Sequence, residues 1–309
     1  MANGHGCAMQ RFAMSCPVCN GASAHPVPAP PYVRCATCGV LYRETFEPGL
    51  LDRRPMTPEV YARSLRHKWP VNRERMLWLQ RQIRVSPGRA ADIGTLDGTA
   101  VRVLTDAGWD AIAYDPDPRC RPYAAEQLGV SIRTDFFTPA TTEPESLDLV
   151  TGFHVIEHIP DPLDLLTTIH RALRQGGYLY LETPNVRQMQ RRQLTRGHVV
   201  LYTAHSLAQT VTAAGFIVRA VTECAPGSLH AYDQLALLAQ RGTRPSSPHP
   251  WQIGTTDRSV SVAMGRAAEG HFHPWSAEWP PDRSATGLAR AALRRARKFI
   301  RRGRYYGRW

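Results

Sequence analysis

The chain of 309 residues is long enough to bury a full α/β core and still carry appendages. It is 43% hydrophobic but has no apolar run of 18 residues, and its opening stretch, MANGHGCAMQRFAM, lacks the apolar centre of a secretory signal, so a cytoplasmic protein is expected. The net charge of +12 is uneven: residues 285–309 hold nine Arg/Lys and no acid, leaving 12 − 9 = +3 for the rest, so the charge alone does not argue for a nucleic-acid partner.

The first element is a cysteine pattern. CPVCNGASAHPVPAPPYVRCATCGVLY places Cys16, Cys19, Cys35 and Cys38 as C-x2-C-x15-C-x2-C, the spacing of a closed structural zinc site in an N-terminal zinc ribbon over residues 1–48. Cys7, Cys120 and Cys224 stand alone. Next, TPEVYARSLRHKWPVNRERMLWLQRQI (57–83) has helical periodicity broken by Pro70, which predicts two helices in a helical lid or linker (49–86), with Tyr61 and Trp69 as lid residues.

From residue 87 to 241, apolar strands alternate with helical stretches, the pattern of a doubly wound parallel sheet. RAADIG, DAIAYD, VSIRTD, SLDLVTGF, YLYLETPN, FIVRAVTE and YDQLALLAQ are the seven expected strands. The helix PLDLLTTIHRALRQ is expected to be capped by Asp161, to begin with Pro162 and to end at Gly176-Gly177. The last two strands have no helix between them, so one antiparallel strand is expected at the sheet's edge. Residues 242–284 read as an irregular linker. Residues 285–309, with Ala289, Leu293, Ala296 and Ile300 at helical spacing, read as a basic amphipathic tail able to touch an anionic membrane surface.

In open α/β sheets ligands gather at the carboxyl ends of the strands. Those ends carry Asp92, Gly94, Asp115 with Pro116, Asp135 with Phe136, and the run Phe153-His154 to Glu157-His158. The turn ADIGTLDGT is glycine-rich, but Leu96 stands where a dinucleotide loop needs its middle glycine. Asp92 and Asp97 would repel a pyrophosphate and attract a cation such as a sulfonium. Asp115, 21 residues beyond Gly94, is spaced to accept from both hydroxyls of a ribose, and Asp135 can accept from an adenine amine.

At these residues the chain resembles class I S-adenosylmethionine-dependent methyltransferases: ADIGTLDGT, YDPDP, RTDFF, FHVIEHIPDPLDLL and LRQGGYLYLETPN follow in the family's order. The resemblance implies a seven-stranded Rossmann-like fold. It sets Asp92, Gly94 and Gly98 around the methionine part of the cofactor, Asp115 at the ribose and Asp135 with Phe136 at the adenine, with Thr95, Pro116 and Phe153 as further cofactor-binding residues. The ribbon, the loop and GHVVLYTAHSL (197–207) also resemble methyltransferases of sugars and secondary metabolites, although only His198, Tyr202 and His205 match the His/Tyr signature of the deoxysugar enzymes. The acceptor is then a small molecule or saccharide, methylated on an O, N or C nucleophile. His154, His158, His198, His205 and His230 are candidate bases, with His154 and His158 favoured because they follow the fourth strand. Two rival readings are an RNA methyltransferase gripping phosphates with ribbon and tail, and a non-catalytic ribbon module. The first lacks an Asn/Asp-Pro-Pro-aromatic run after the fourth strand.

Overall fold

The computed structural model describes residues 12–13, 15–29, 31–46, 55–83, 85–188, 194–195, 197–223, 225–226 and 234–242. The expectations for Cys7, Cys224, His230, the linker beyond residue 242 and the basic tail lie outside these residues.

The N-terminal segment folds as short antiparallel strands. β1 (Phe12–Ala13) pairs with β5 (Thr45–Phe46), while β2 (Ala24–Pro26), β3 (Tyr32–Cys35) and β4 (Leu41–Arg43) form a meander. Each cysteine pair closes a tight turn whose backbone enters the left-handed region, at Asn20 (φ 56°) and at Gly39 (φ 75°). At the second turn the Thr37 and Cys38 amides point at Cys35 Sγ, 3.3 and 3.5 Å away. The meander takes a fourth strand from far along the chain: β11 (Val200–Leu201) pairs with β4, Val200 opposite Tyr42. Cys16, Val33, Cys35 and Tyr42 accordingly share one hydrophobic core with Ile156, Val200 and Tyr202.

Residues 57–83 form one helix, α1 (Pro58–Gln82), not two. Thr57 caps it by accepting from the Val60 amide, and Pro58 fits the first turn. Pro70 removes one internal hydrogen bond, but Pro70 and Arg66 are both exposed, so water serves the freed carbonyl. Met76, Leu79 and Ile83 on the other side hold the helix in place across the break.

The large sheet contains β6 (Arg89–Ile93), β7 (Asp110–Tyr114), β8 (Ile132–Arg133), β9 (Leu147–Phe153), β10 (Leu173–Pro184), β12 (Phe216–Thr222) and β13 (Gln234–Arg241), in the order β12-β13-β10-β9-β6-β7-β8. Helices α2 (Thr99–Asp106), α3 (Arg121–Leu128), α4 (Pro162–Ala172) and α5 (Ala204–Ala213) complete the doubly wound layers. Alternation decides which face is covered by what. Val150, Leu179 and Leu181 meet Leu166 and Ile169 of α4 and Leu207 and Val211 of α5, whereas Leu149 and Tyr180 meet α1 and α2. The one antiparallel strand is β13, which lies one place in from the edge strand β12 and pairs with both β12 and β10.

Asp161 caps α4 by accepting from the Asp164 amide at 2.9 Å, but the helix ends at Ala172. Gly176 and Gly177 belong to β10, where the register with β9 shifts between Leu173 and Tyr178. The chain leaves the helix early because Leu173 is fully buried and already pairs with Leu147. No helix among the described residues is long and apolar enough to cross a membrane.

Candidate active site

The loop from β6 to α2 is shaped by three left-handed residues, Gly94 (φ 67°), Leu96 (φ 51°) and Gly98 (φ 77°). A Cβ on Gly94 would lie 2.4 Å from Val155 Cγ2, so glycine is needed both for the backbone and for the loop's approach to the end of β9. Leu96 adopts a glycine-like conformation at a cost of order 1 kcal/mol. In return its amide donates to Asp115 Oδ2 at 2.7 Å, tying this loop to the end of β7.

Asp92 is 1% exposed. Its Oδ1 accepts from Thr151 Oγ1 at 2.5 Å, while its Oδ2 and the neighbouring Thr95 Oγ1 are buried without a partner in hydrogen-bond geometry, the Thr95 hydroxyl lying near enough to the carboxyl to favour its charge. Burial pushes the Asp92 carboxyl up to about 7. A buried carboxylate oxygen and hydroxyl without partners, beside a left-handed turn, fit the ammonium end of an amino acid such as the methionine part of S-adenosylmethionine. Asp115 is also buried. Its oxygens accept from the Leu96 and Asp117 amides, and burial raises its pKa, yet a carboxylate has about four acceptor positions and two stay open for ribose hydroxyls. Pro116 lies half-buried beside it, while Asp135 and Phe136 are exposed at the end of β8, Phe136 by 67%.

Asp97 does not face this site as the sequence suggested. Its carboxylate is turned to α1, accepting from Ser64 Oγ (2.5 Å), and also accepts from Thr99 Oγ1 (2.7 Å) and the Thr99 amide, with Lys68 Nζ at 3.4 Å. Tyr61 OH donates to its carbonyl at 2.7 Å. Burial opposes ionisation, but Lys68 and these donors outweigh it and hold Asp97 below its ordinary value. Asp97 thus docks α1 on the glycine loop. Of the two expected lid residues, Tyr61 is fully buried and stacks on Tyr123, and Trp69 is half-buried.

A second anchor for α1 was not visible in the sequence. Arg75, 8% exposed, donates through Nε to both oxygens of the fully buried Glu182 on β10, is bonded to it again through Nη2, and donates to Asn72 Oδ1 at 2.6 Å. Its guanidinium also lies 4.2 Å from the centroid of Phe153. Phe153 therefore touches both Arg75 and, edge-on, Tyr180, and forms part of this anchor. The two charges are 107 residues apart, and an isolated arginine on an amphipathic helix gives no signal of such a partner.

Beyond β9 the chain turns sharply at His154, a left-handed residue (φ 58°) whose amide donates to the Glu182 carbonyl. His154 Nδ1 lies 3.2 Å from Glu157 Oε1, and Glu157 Oε2 accepts from Thr183 Oγ1 at 3.0 Å. Glu157 is completely buried. Burial works against its charge, but the His154 bond and the imidazoles of His158 and His198 outweigh it and lower it to about 2. His158 is exposed, with Nδ1 at 2.7 Å from the Gly197 carbonyl and its ring 4.8 Å from that of His198. The structure thus brings together His154, His158 and His198 around one carboxylate, while His205 is exposed in the first turn of α5. Tyr202, fully buried, has a hydroxyl without a hydrogen-bond partner.

The four cysteine sulfurs lie within 4.8 Å of one another, with Cys16 to Cys38 at 3.4 Å and Cys19 to Cys35 at 3.5 Å. A tetrahedron with Zn–S bonds of ~2.3 Å has S–S edges of about 3.8 Å, so the cluster fits a zinc ion.

A profile of the methyltransferase domain family matches residues 61–221, more than half of the chain and the whole of the glycine loop, β9 and the histidine cluster. The chain belongs to the methyltransferase domain family. The strand ends described above accordingly lie within a methyltransferase domain. Among curated relatives, ubiquinone biosynthesis O-methyltransferase of Methylococcus capsulatus is 28% identical over 121 residues, 37% of this chain and 51% of that protein. The protein of the same name from Cereibacter sphaeroides is 33% identical over 102 residues, 31% of this chain and 41% of the relative. The chain thus spans about half the length of the curated relatives it matches. Similar solved structures include a SAM-dependent methyltransferase from Archaeoglobus fulgidus (TM-score 0.48, 14% identity, covering 59% of this chain and 98% of that one). Another is Burkholderia thailandensis 1,6-didemethyltoxoflavin-N1-methyltransferase (TM-score 0.46, 16% identity, 64% and 95%).

Proposed function

We propose that the protein methylates a hydroxyl group of a small molecule or saccharide. The observation that carries this reading is the pairing of two features across the strand ends: unpartnered buried acceptors at Asp92 and Thr95 on one side, and His154 held by a buried carboxylate on the other. Asp92, Gly94, Thr95 and Gly98 would hold the methionine part of S-adenosylmethionine, Asp115 and Pro116 its ribose, and Asp135 and Phe136 its adenine. Phe153 supports the rim through Arg75. The bound cofactor supplies a methyl group already activated by its sulfonium, so the protein's task is to align the acceptor oxygen with it and remove a proton.

His154 is placed for the second task. Its Nδ1 is engaged by Glu157, which leaves Nε2 to take the acceptor's proton, and the ionised Glu157 stabilises the imidazolium that results. His158 and His198 line the same side and would position the acceptor. A hydroxyl acceptor accords with the O-methyltransferase names of the curated relatives.

The ribbon of residues 1–48 would carry a structural zinc on Cys16, Cys19, Cys35 and Cys38, with no open ligand position and no part in the chemistry. Residues 49–86 would serve as lid, and 87–241 as the catalytic domain, to which the ribbon is tied by β11.

The test is transfer of labelled methyl from S-adenosylmethionine to a panel of phenols, polyols and saccharides. At least one hydroxylated acceptor should be labelled, and His154→Ala should lower the rate by roughly 100-fold or more while leaving cofactor affinity intact. Labelling only of amines or of RNA would refute the proposal.

A further inference from the structure

We propose that Glu157, His158 and His198 form a divalent-metal site on the acceptor side, separate from the four cysteines. One donor atom from each of the three side chains lies within 4.8 Å of the other two. Two imidazole nitrogens and a carboxylate oxygen suit zinc and its first-row neighbours; magnesium and calcium favour all-oxygen sets.

His158 and Glu157 have the outer bond that fixes a metal-binding side chain, and His198 is placed by its backbone. His158 Nδ1 lies 2.7 Å from the Gly197 carbonyl, so Nδ1 carries the proton and Nε2 keeps its lone pair for a cation. Glu157 is buried, with Oε2 held by Thr183 and Oε1 by His154, and two of its roughly four acceptor positions remain. His198 is positioned through its backbone by the ribbon. Tyr32 OH donates to the His198 carbonyl at 2.7 Å, the Arg43 amide donates to the Val199 carbonyl at 2.9 Å, and the Val199 amide donates to the Glu157 carbonyl at 2.6 Å.

The strand β11 therefore does more than extend the ribbon sheet: it delivers His198 to the turn that carries Glu157 and His158. A carboxylate stripped of water by burial gains from a cation that replaces its lost solvation. Three protein ligands, one of them on the exposed His158, leave a coordination position open to solvent, the arrangement in which a bound ion can take a water or an acceptor oxygen. The site shares Glu157, His158 and His198 with the methyl-transfer reading, but its test is independent of that reading, since metal content is measured without turnover.

The experiment uses the full chain loaded with zinc and brought to equilibrium dialysis against micromolar free zinc, with zinc per chain measured by atomic emission. Wild type should hold one equivalent more than His158→Ala and one more than His198→Ala. Cobalt bound to the zinc-loaded wild type should show d–d absorption without thiolate charge transfer. Tyr32→Phe, which keeps every ligand, should weaken this equivalent several-fold. A wild type that holds no more zinc than the two histidine variants overturns the proposal, as does cobalt that appears only with thiolate charge transfer. Variants that lose the cysteine-bound zinc together with the second equivalent overturn it too, because the two would then be one site.

Discussion

Asp92→Asn should abolish a pH dependence of cofactor binding that the wild type displays. The carboxyl is buried, one oxygen has no partner, and burial lifts it from 3.8 to about 7, so near neutral pH the empty protein is a mixture of acid and carboxylate. Only the carboxylate attracts the ammonium of S-adenosylmethionine, so the apparent Kd scales as 1 + 10^(pKa − pH). Between about pH 5.5 and about pH 7 that factor falls from roughly 33 to 2, a tightening of about 16-fold, or ~1.6 kcal/mol. The sign for stability is opposite. A carboxyl whose folded value is raised favours folding while protonated, so the empty protein should lose stability, by at most ~4 kcal/mol, as pH climbs from about 4 to about 7. Isothermal titration calorimetry in buffers of different ionisation enthalpy would read both the slope and the proton released on binding. A wild-type Kd that is flat over this range, or an Asn variant that keeps the slope, would refute the reasoning.

Arg75→Met should destabilise the protein by about 3–5 kcal/mol, because Glu182 would be left charged in a fully buried place; urea denaturation measures the change, and a loss below about 1 kcal/mol would show that Glu182 finds another partner. Removing metal from the cysteine site with a strong chelator should raise amide hydrogen exchange at 197–202 and leave residues 89–115 protected, since Tyr32, Arg43 and β4 hold the first segment and nothing in the ribbon sheet pairs with the second. Unchanged exchange at Val199 and Val200 would uncouple ribbon and site.

The strands, their chain order and the cysteine cluster were legible because each rests on local pattern: apolar runs ended by an acid, helices capped by residues such as Asp161, and thiols at fixed spacing. What escaped depended on partners distant in sequence. Asp97 looked like a ligand for a cation until α1 supplied Ser64 and Lys68. Pro70 read as a helix break because nothing local reveals that its freed carbonyl faces water and that Met76 and Leu79 pin the helix beyond it. Gly176-Gly177 read as a helix stop, but Leu173 is claimed three residues earlier by the core and by Leu147. The link from ribbon to histidine cluster through β11 spans more than 150 residues and has no local mark, although GHVVLYTAHSL had already singled out the segment that makes it.

The most direct measurement is a crystal structure of the protein grown with S-adenosylhomocysteine. Its amino group should lie within hydrogen-bond distance of Asp92 Oδ2, its ribose hydroxyls on Asp115, and its sulfur should face His154. A product bound away from Asp92, or with its sulfur turned from the histidine cluster, would contradict this placement.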